Sequence, residues 1–425
     1  MKRLNKIMLT GLMYSSFALS EQSTMSLSQF IDMADDYSLD VKKTRFEKGA
    51  ADDRLNQAYA AYWPKVDLIA KTTNQRKWQS EDYQTSTDQK SQVNAALLMT
   101  LYDFGVREAR VDEAKFGQKS GEFKLFLQKE ILYYDVFTAY VQYDFALQSY
   151  QLAQDYLTHV SDLQKLINQR VSAGFSAYSD RVRGELALSE AQSRVKIASQ
   201  NLTDTRIALK NLTGYSPDVV SSLLSKPFTF HQDVNKITFN STHKNPSLEM
   251  LRSNVNMNAA KVEAQQSERY PTIQLFATYR AELHRENFPG SEAYVQMSVP
   301  LTDGGLLRAR VSEAVNNHEA AKITLEMAYR DLDKRQQDFI NLYQSAKDRL
   351  SIDLQSQAQA QHTLDIYQSE FSMGSRPLTD LINAQKDLLN INTEVLNDKM
   401  NAYIAVLSLY NLNGDTLNGI EILTK

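Results

Sequence analysis

The sequence predicts a mainly α-helical fold with a smaller β part, in which one unit of helix, β-hairpin, long helix and return helix occurs twice. Three observations predict it. From 104 to 171 the chain contains no proline, and Leu132, Val136, Ala139, Tyr143, Ala146, Tyr150, Ala153, Leu157 and Val160 follow each other at alternate steps of four and three. That is the seam of helices packed side by side. The same kind of helix returns over 306–371, with Leu332, Phe339, Tyr343, Ala346 and Leu350 on its seam. Ahead of each stand two stretches in which apolar and polar residues alternate. A helix of about 65 residues is a rod of roughly 100 Å, longer than any compact domain.

The two copies align without a gap from the end of the hairpin onward. Leu101, Asp103, Gly105, Ala109, Arg110, Val111, Glu113 and Ala114 match Leu301, Asp303, Gly305, Ala309, Arg310, Val311, Glu313 and Ala314, an offset of 200. Gly174 matches Gly374, Asp180 matches Asp380, and Asn211, Leu212 and Gly214 match Asn411, Leu412 and Gly414 at the same offset. Both rods and both return helices therefore have equal length, and the chain is a tandem duplication.

In chain order, residues 1–20 read as a secretory signal: Lys2, Arg3 and Lys6, then an apolar run over 7–17, then Ala18, Leu19 and Ser20 before the cut at Glu21. The run is too short to span a bilayer as an anchor. The chain has no cysteine, which excludes a disulfide framework, a thiolate zinc site and a lipid-acceptor cysteine. Losing the three basic signal residues takes the formal charge from −4 to −7, and no basic cluster remains to meet a nucleic acid.

Helices over 27–34 and 41–63 end at Pro64. Val66, Leu68 and Ala70 open a first strand; Val93, Ala95, Leu97, Met99 and Leu101 line a second, alternating with Gln92, Asn94 and Thr100. After Pro271 the second copy repeats this with Ile273, Leu275, Ala277 and Tyr279, then Val295, Met297, Val299 and Leu301. Its loop, around Asn287 to Ser291, is seven residues shorter, which places exposed tips there. Strands of about ten residues have the length of a tilted bilayer crossing. The strands alone leave a small sheet packed on the helices equally open; the secretory signal and the rods favour the membrane. In that reading Val93, Leu97, Met99, Leu275, Val295 and Val299 face lipid, while Gln92, Asn94, Gln274, Gln296 and Ser298 face the lumen. Tyr102, Tyr279 and Tyr294 are candidates for an interfacial girdle.

Each rod ends at a glycine suited to a helix C-terminus, Gly174 or Gly374, followed by a hydroxyl or acid that opens the return helix. The half-length helices 41–63 and 246–270 supply the other half beside each rod. The expected organisation is a signal (1–20), a first repeat (21–214: hairpin 65–102, rod 104–171, tip 172–180), an equatorial linker (215–245) with Pro217, Pro227 and a short strand at 228–230, a second repeat (246–414: hairpin 272–302, rod 306–371, tip 372–380) and a tail (415–425).

Taken together, the duplication, the proline-led strands, Leu-x-Asp-x-Gly at 101–105 and 301–305, a tip glycine six residues before Asp180 and Asp380, and Asn-Leu-x-Gly at 211–214 and 411–414 make the chain resemble the TolC-like outer-membrane channel proteins. The resemblance covers essentially the whole mature length. It implies a homotrimer whose twelve strands form one β-barrel in the outer membrane, continued by an α-helical tunnel across the periplasm. It implies a periplasmic adaptor docked at Gly174, Phe175, Ser176, Gly374 and Ser375, and an inner-membrane transporter, ABC-type or proton-driven. Asp103, Gly105, Asp303 and Gly305 match the family's strand-to-helix junction.

No phosphate loop, nucleophile elbow or zinc-protease motif occurs, and the histidines show no ligand spacing. An enzyme is not expected, nor a cofactor. Tyr133, Tyr134, Tyr140, Tyr143 and Tyr150 read as rod-packing residues rather than a stacking platform. The expected function is a passive export conduit, and the alternative of another class is a periplasmic helical-hairpin adaptor without a pore. Within the conduit reading, the missing lipid-acceptor cysteine and the motifs at 102–105 and 378–385 look more like type I protein secretion members than small-molecule efflux channels.

The resemblance also locates a periplasmic gate. In the family an arginine matching Arg376, and a tyrosine five residues before it, bond to a hydroxyl and an acid on the neighbouring tip, here Ser179 and Asp180. The tyrosine is replaced by Phe371 and a second tip acid by Asn383; Asp380 is retained. The expectation is a closure resting on Arg376, Ser179 and Asp180, held by fewer bonds.

Overall fold

The computed structural model describes residues 26–77, 86–216, 220–226, 245–282 and 290–424. The expected signal and its cut, the strand at 228–230 and the hairpin loops at 78–85 and 283–289 lie outside them.

The first unit opens with α1 (Leu27–Tyr37) and α2 (Leu39–Ala60), split at Ser38, whose Oγ accepts the Val41 N–H at 3.3 Å. A hairpin of β1 (Lys65–Lys77) and β2 (Ser86–Tyr102) follows, then the rod α3 (Val106–Ser172) and its return α4 (Tyr178–Thr213). The second unit has α5 (Pro246–Ser267), β3 (Thr272–Glu282), β4 (Gly290–Ser298), the rod α6 (Leu306–Ser372) and its return α7 (Leu378–Leu412). Both rods are 67 residues long. Beside α3 lie α2 and α4, and beside α6 lie α5 and α7; the units join where α5 and α7 also pack on α3. Among the described residues no helix is long and apolar enough to cross a membrane.

The seam residues do the packing. On α3, Leu132, Val136, Ala139, Tyr143, Ala146, Ala153 and Val160 are buried, with Tyr150 and Leu157 half-buried; on α6, Leu332, Tyr343, Ala346 and Leu350 are buried. The largest cluster sits near the middle of the rods. There Phe30 and Val41 meet Phe137, Tyr140 and Tyr143 of α3 and Leu407 and Leu409 of α7, and the Phe30 and Tyr140 rings lie edge to face at 5.6 Å. Residues 220–226 are clamped onto this belt. Fully buried Asp144 accepts Leu223 N–H at 2.7 Å, Leu224 N–H at 2.9 Å and Ser222 Oγ–H at 3.0 Å, while Lys399 of α7 donates to the carbonyls of Leu224 and Lys226.

The four strands form one antiparallel meander, β1-β2-β3-β4. Its register puts Val66, Leu97 and Ala277 in one row across three strands, and Met99, Leu275 and Val295 in another. Val93, Leu97, Met99, Leu275 and Val295 thus share one face, and Asn94, Gln274, Gln296 and Ser298 share the other. A bulge between Thr100 and Tyr102 brings Tyr102 opposite Ile273, onto the apolar face with Tyr279.

Several details depart from the sequence reading. β1 and β2 run 13 and 17 residues rather than about ten, because pairing continues into the polar residues of the loop. β4 stops at Ser298, short of the expected 302: Pro300 has no N–H to pair, and Leu301 is left 92 % exposed. Tyr294 is not on the apolar face with Tyr102 and Tyr279; it stacks on Phe276 of the opposite face at 5.2 Å. The tail is no mere extension: α8 (Thr416–Thr424) buries Ile420 and Leu423 against the central belt.

Candidate functional site

Both rods end in the same hydrogen-bonded turn. Gly174 and Gly374 have φ of +76° and +81°, a left-handed conformation in which a Cβ is strained. Phe175 N–H reaches back to the Arg170 carbonyl at 2.8 Å and Gly174 N–H to that of Val171 at 3.1 Å; Ser375 and Gly374 repeat this on Glu370 and Phe371, each at 3.0 Å. Two carbonyls at each helix end are satisfied in this way. The chain then turns to start α4 at Tyr178 and α7 at Leu378, which leaves Ser179 and Asp180 in the first turn of α4 and Asp380 in that of α7.

Beyond this shared backbone the tips differ in their side chains. In the second tip the Arg376 guanidinium donates to Glu370 Oε2 through Nε at 2.8 Å and Nη2 at 2.7 Å, and through Nη1 to Asp380 Oδ2 at 3.2 Å. It lies over the Tyr367 ring, 4.1 Å from the centre. These carboxylates, Glu370 first, hold the guanidinium above its ordinary pKa, so its charge is permanent. Ser179 and Asp180 of the same chain are not among the partners described for Arg376. Asn383 lines, with Thr363, Tyr367, Asp380 and Asp387, a polar groove of about 660 Å³ between α6 and α7.

Phe371 is 7 % exposed and packs with Leu163 and Ile167 of α3 and Leu378 and Leu381 of α7. Arg170, at the end of α3, donates Nη1–H to the Phe371 carbonyl at 3.0 Å, with its guanidinium 5.1 Å from the ring centre. The first tip presents Phe175 and Tyr178 to solvent, at 78 % and 70 % exposure. The sequence assigned no role to Tyr367, Glu370 or Arg170. Glu370 carried a signal: an acid in the last turn of a helix meets the carbonyl end of the dipole and needs a cation nearby.

At the other end of the rods, Gly105 and Gly305 cap α3 and α6 with φ of +95° and +90°. Asp303 accepts the N–H groups of Leu307 at 2.7 Å and Gly305 at 3.0 Å, and these bonds, Leu307 first, hold its carboxyl below the usual range. Asp103 accepts from Arg107 instead, N–H at 3.1 Å and Nε–H at 2.8 Å, and Arg107 Nη1 reaches back to the Thr100 carbonyl at 2.7 Å. Strand and rod are thereby locked together in the first copy. Phe104 takes the left-handed conformation that Gly304 takes in the second copy, held by stacking on Tyr270 at 5.6 Å.

Among the described residues no group of three or more His, Asp or Glu is placed to hold a metal ion.

Comparison with known proteins follows the same architecture. The family model described as outer membrane efflux protein matches residues 30–215 and 240–415, once for each copy. Outer membrane protein TolC of Escherichia coli is 23 % identical over 445 residues, spanning all of this chain and 88 % of that one. Outer membrane efflux protein BepC of Brucella suis is 19 % identical over 371 residues, 85 % of this chain and 79 % of its own. Among solved structures, the CmeC outer membrane channel of Campylobacter jejuni superposes with a TM-score of 0.83 at 14 % identity, over 99 % of this chain and 98 % of that one. VceC of Vibrio cholerae gives 0.80 at 17 %, over 91 % and 96 %.

Proposed function

The chain belongs to the outer membrane efflux protein family, and from that premise we propose that three copies close one barrel and one tunnel whose tips form a gate, and that the conduit serves type I protein secretion. As a member of that family it is an outer-membrane channel with a periplasmic helical part, and not an enzyme. The adaptor without a pore is thereby set aside.

The observation that carries the trimer is the sheet. One chain offers four strands with a single apolar face, and β1 and β4 have no partner on their outer edges among the described residues. Open edges in lipid leave backbone groups unsatisfied, at several kcal/mol each. Pairing β4 of one copy with β1 of the next removes every edge, and three copies supply twelve strands. The helices support the same reading: Val182, Leu186, Ile197 and Ile207 on α4 and Ile323, Met327, Ile352 and Ile366 on α6 are exposed in the single chain. Apolar side chains exposed along a return helix and a rod call for neighbouring helices.

Within such a trimer Arg376, with Ser179 and Asp180 of a neighbouring tip, holds the periplasmic mouth closed, and Asp380 and Asn383 line it. Gly174, Phe175, Ser176, Gly374 and Ser375 meet the adaptor, and an inner-membrane ABC or proton-driven transporter feeds the channel. The absence of any cysteine to carry a lipid supports secretion over lipidated efflux channels. The second reading, multidrug or small-molecule efflux, is favoured by the matched family itself, which is described by efflux.

Light scattering of the detergent-extracted protein tests the assembly: a mass of three chains is expected, and one chain would overturn it. Planar-bilayer recording tests the gate, where Arg376→Ser should raise the open fraction and unchanged traces would remove Arg376 from it. Expression in a strain lacking its own channel of this kind separates the substrates. Restored export of a type I substrate supports secretion; restored drug resistance alone supports efflux.

A further inference from the structure

We infer that Arg170 is a positioning residue of the gate: it latches the second tip of each chain against the first, and its release frees the ends of α6 and α7 from α3 and α4. This rests on the reading that the tips are the gate.

Arg170 belongs to both tips at once. Its carbonyl accepts the Phe175 N–H that closes the first tip, while its side chain crosses to the second and donates to the Phe371 carbonyl at 3.0 Å. That carbonyl also accepts Gly374 N–H at 3.0 Å, so the cation sits on the negative end of α6 at the residue where the turn begins. The guanidinium also faces the Phe371 ring, 5.1 Å from its centre. One side chain thus grips both the backbone and the ring of a residue that is itself buried among Leu163, Ile167, Leu378 and Leu381. A bond from a charged donor to a carbonyl in such a dry setting is stronger than its surface counterpart.

The contact has no mirror in the duplication. At the offset of 200, Arg170 corresponds to Glu370, which turns to Arg376 within its own tip. The cross-tip bond therefore runs in one direction only, from the first repeat to the second. Along the shaft the two hairpins are joined by α3 against α7 and far less by α4 against α7. Close to the tip the joint is the small cluster around Phe371 together with Arg170. A residue placed there governs the angle between the hairpins without lining the mouth.

Because the chain has no cysteine, cysteines introduced at Ala173 and Met373, equivalent exposed positions one residue before each tip glycine, report the separation of the tips through spin labels. Assemblies diluted with unlabelled chains isolate the distance within one chain. Arg170→Met should lengthen and broaden that distance and raise the open fraction in planar bilayers by roughly threefold to tenfold. Arg170→Lys, which keeps the charge without the flat fork, should fall between. If Arg170→Met assembles poorly, the lysine variant alone decides by the same two readouts. Arg376→Ser is the reference. Should it open the channel while both Arg170 variants leave distance and open fraction unchanged, the latch is overturned and the gate reading stands. Should Arg376→Ser and the Arg170 variants all leave the traces unchanged, the gate reading fails and the latch with it.

Discussion

Arg376 lies over the ring of Tyr367, 4.1 Å from its centre, and donates to Glu370 and Asp380. Phe371 has no hydroxyl to offer, and Tyr367, one helical turn earlier, meets Arg376 with its ring. In the single chain the arginine is held inside its own tip. In the closure proposed above, bonds to Ser179 and Asp180 of a neighbour compete with these contacts, which sets opposite signs for two substitutions. Arg376→Ser removes the closing cation and raises the open fraction. Glu370→Gln removes the main internal competitor and should lower it, by about twofold to fivefold for a partly exposed pair. Single-channel recording of both variants checks the pair of signs; equal signs would remove Glu370 from the competition.

The two faces of the sheet carry a second prediction. Leu97 pairs with Val66 and Ala277 on the apolar face, and Asn94 pairs with Arg280 on the other. An arginine near the bilayer midplane on the lipid side costs about 2–4 kcal/mol, and much less in a wet lumen. The yield of heat-resistant oligomer should fall for Leu97→Arg and hold for Asn94→Arg. Equal yields would mean that the apolar face does not meet lipid.

How far these elements could be read in advance depends on the range of the interaction behind them. Rod seams, paired strands and tip glycines repeat over a few residues and recur at a fixed offset, so alternation and spacing reveal them. Tyr294 was legible too, since alternation with Val295 and Met297 already sets it on the opposite face, where it stacks on Phe276; Tyr102 was not, because its face is set by the bulge after Thr100. Arg170 and Phe371 lie 201 residues apart and are joined by a side chain to a backbone carbonyl, which no local pattern encodes. The clamp on Asp144 is hidden for the same reason, since its partners Leu223 and Leu224 contribute only backbone N–H groups.

That clamp makes a third prediction. Asp144 is fully buried and one oxygen accepts three donors from residues 222–224. Asp144→Ala leaves two buried N–H groups without an acceptor, at about 1–3 kcal/mol for each group left unsatisfied. Proteolysis within 220–226 should accelerate at least tenfold while the tips and the sheet keep their protection. Asp144→Asn retains an acceptor and should lie between. Cleavage rates equal to the parent chain for Asp144→Ala would mean that Lys399 and the apolar residues hold the segment alone.

The fourth prediction concerns α8 and pH. Glu130 of α3 is 3 % exposed and accepts Thr416 N–H at 2.9 Å and Thr416 Oγ1–H at 2.5 Å, at the first turn of α8. Burial pushes its carboxyl above the ordinary value of 4.5, and the two Thr416 bonds only partly oppose this. A folded-state pKa raised above the unfolded one means that the folded chain holds the proton more tightly. The associated stability is complete below pH 4.5 and is lost as pH rises through the higher folded value. Docking of α8 should therefore tighten on acidification from pH 7 towards 5, seen as slower amide exchange at Ile420 and Leu423 after correction for the intrinsic rate. Glu130→Gln offers Thr416 a neutral acceptor of the same shape, so it should match or exceed the parent at pH 7 and lose the pH dependence. Glu130→Ala strands the Thr416 donors and should cost about 1–3 kcal/mol at every pH. If Glu130→Gln loosened α8 at pH 7 as much as Glu130→Ala, the charged form would be the one that holds the helix, and burial would not be what sets its proton affinity.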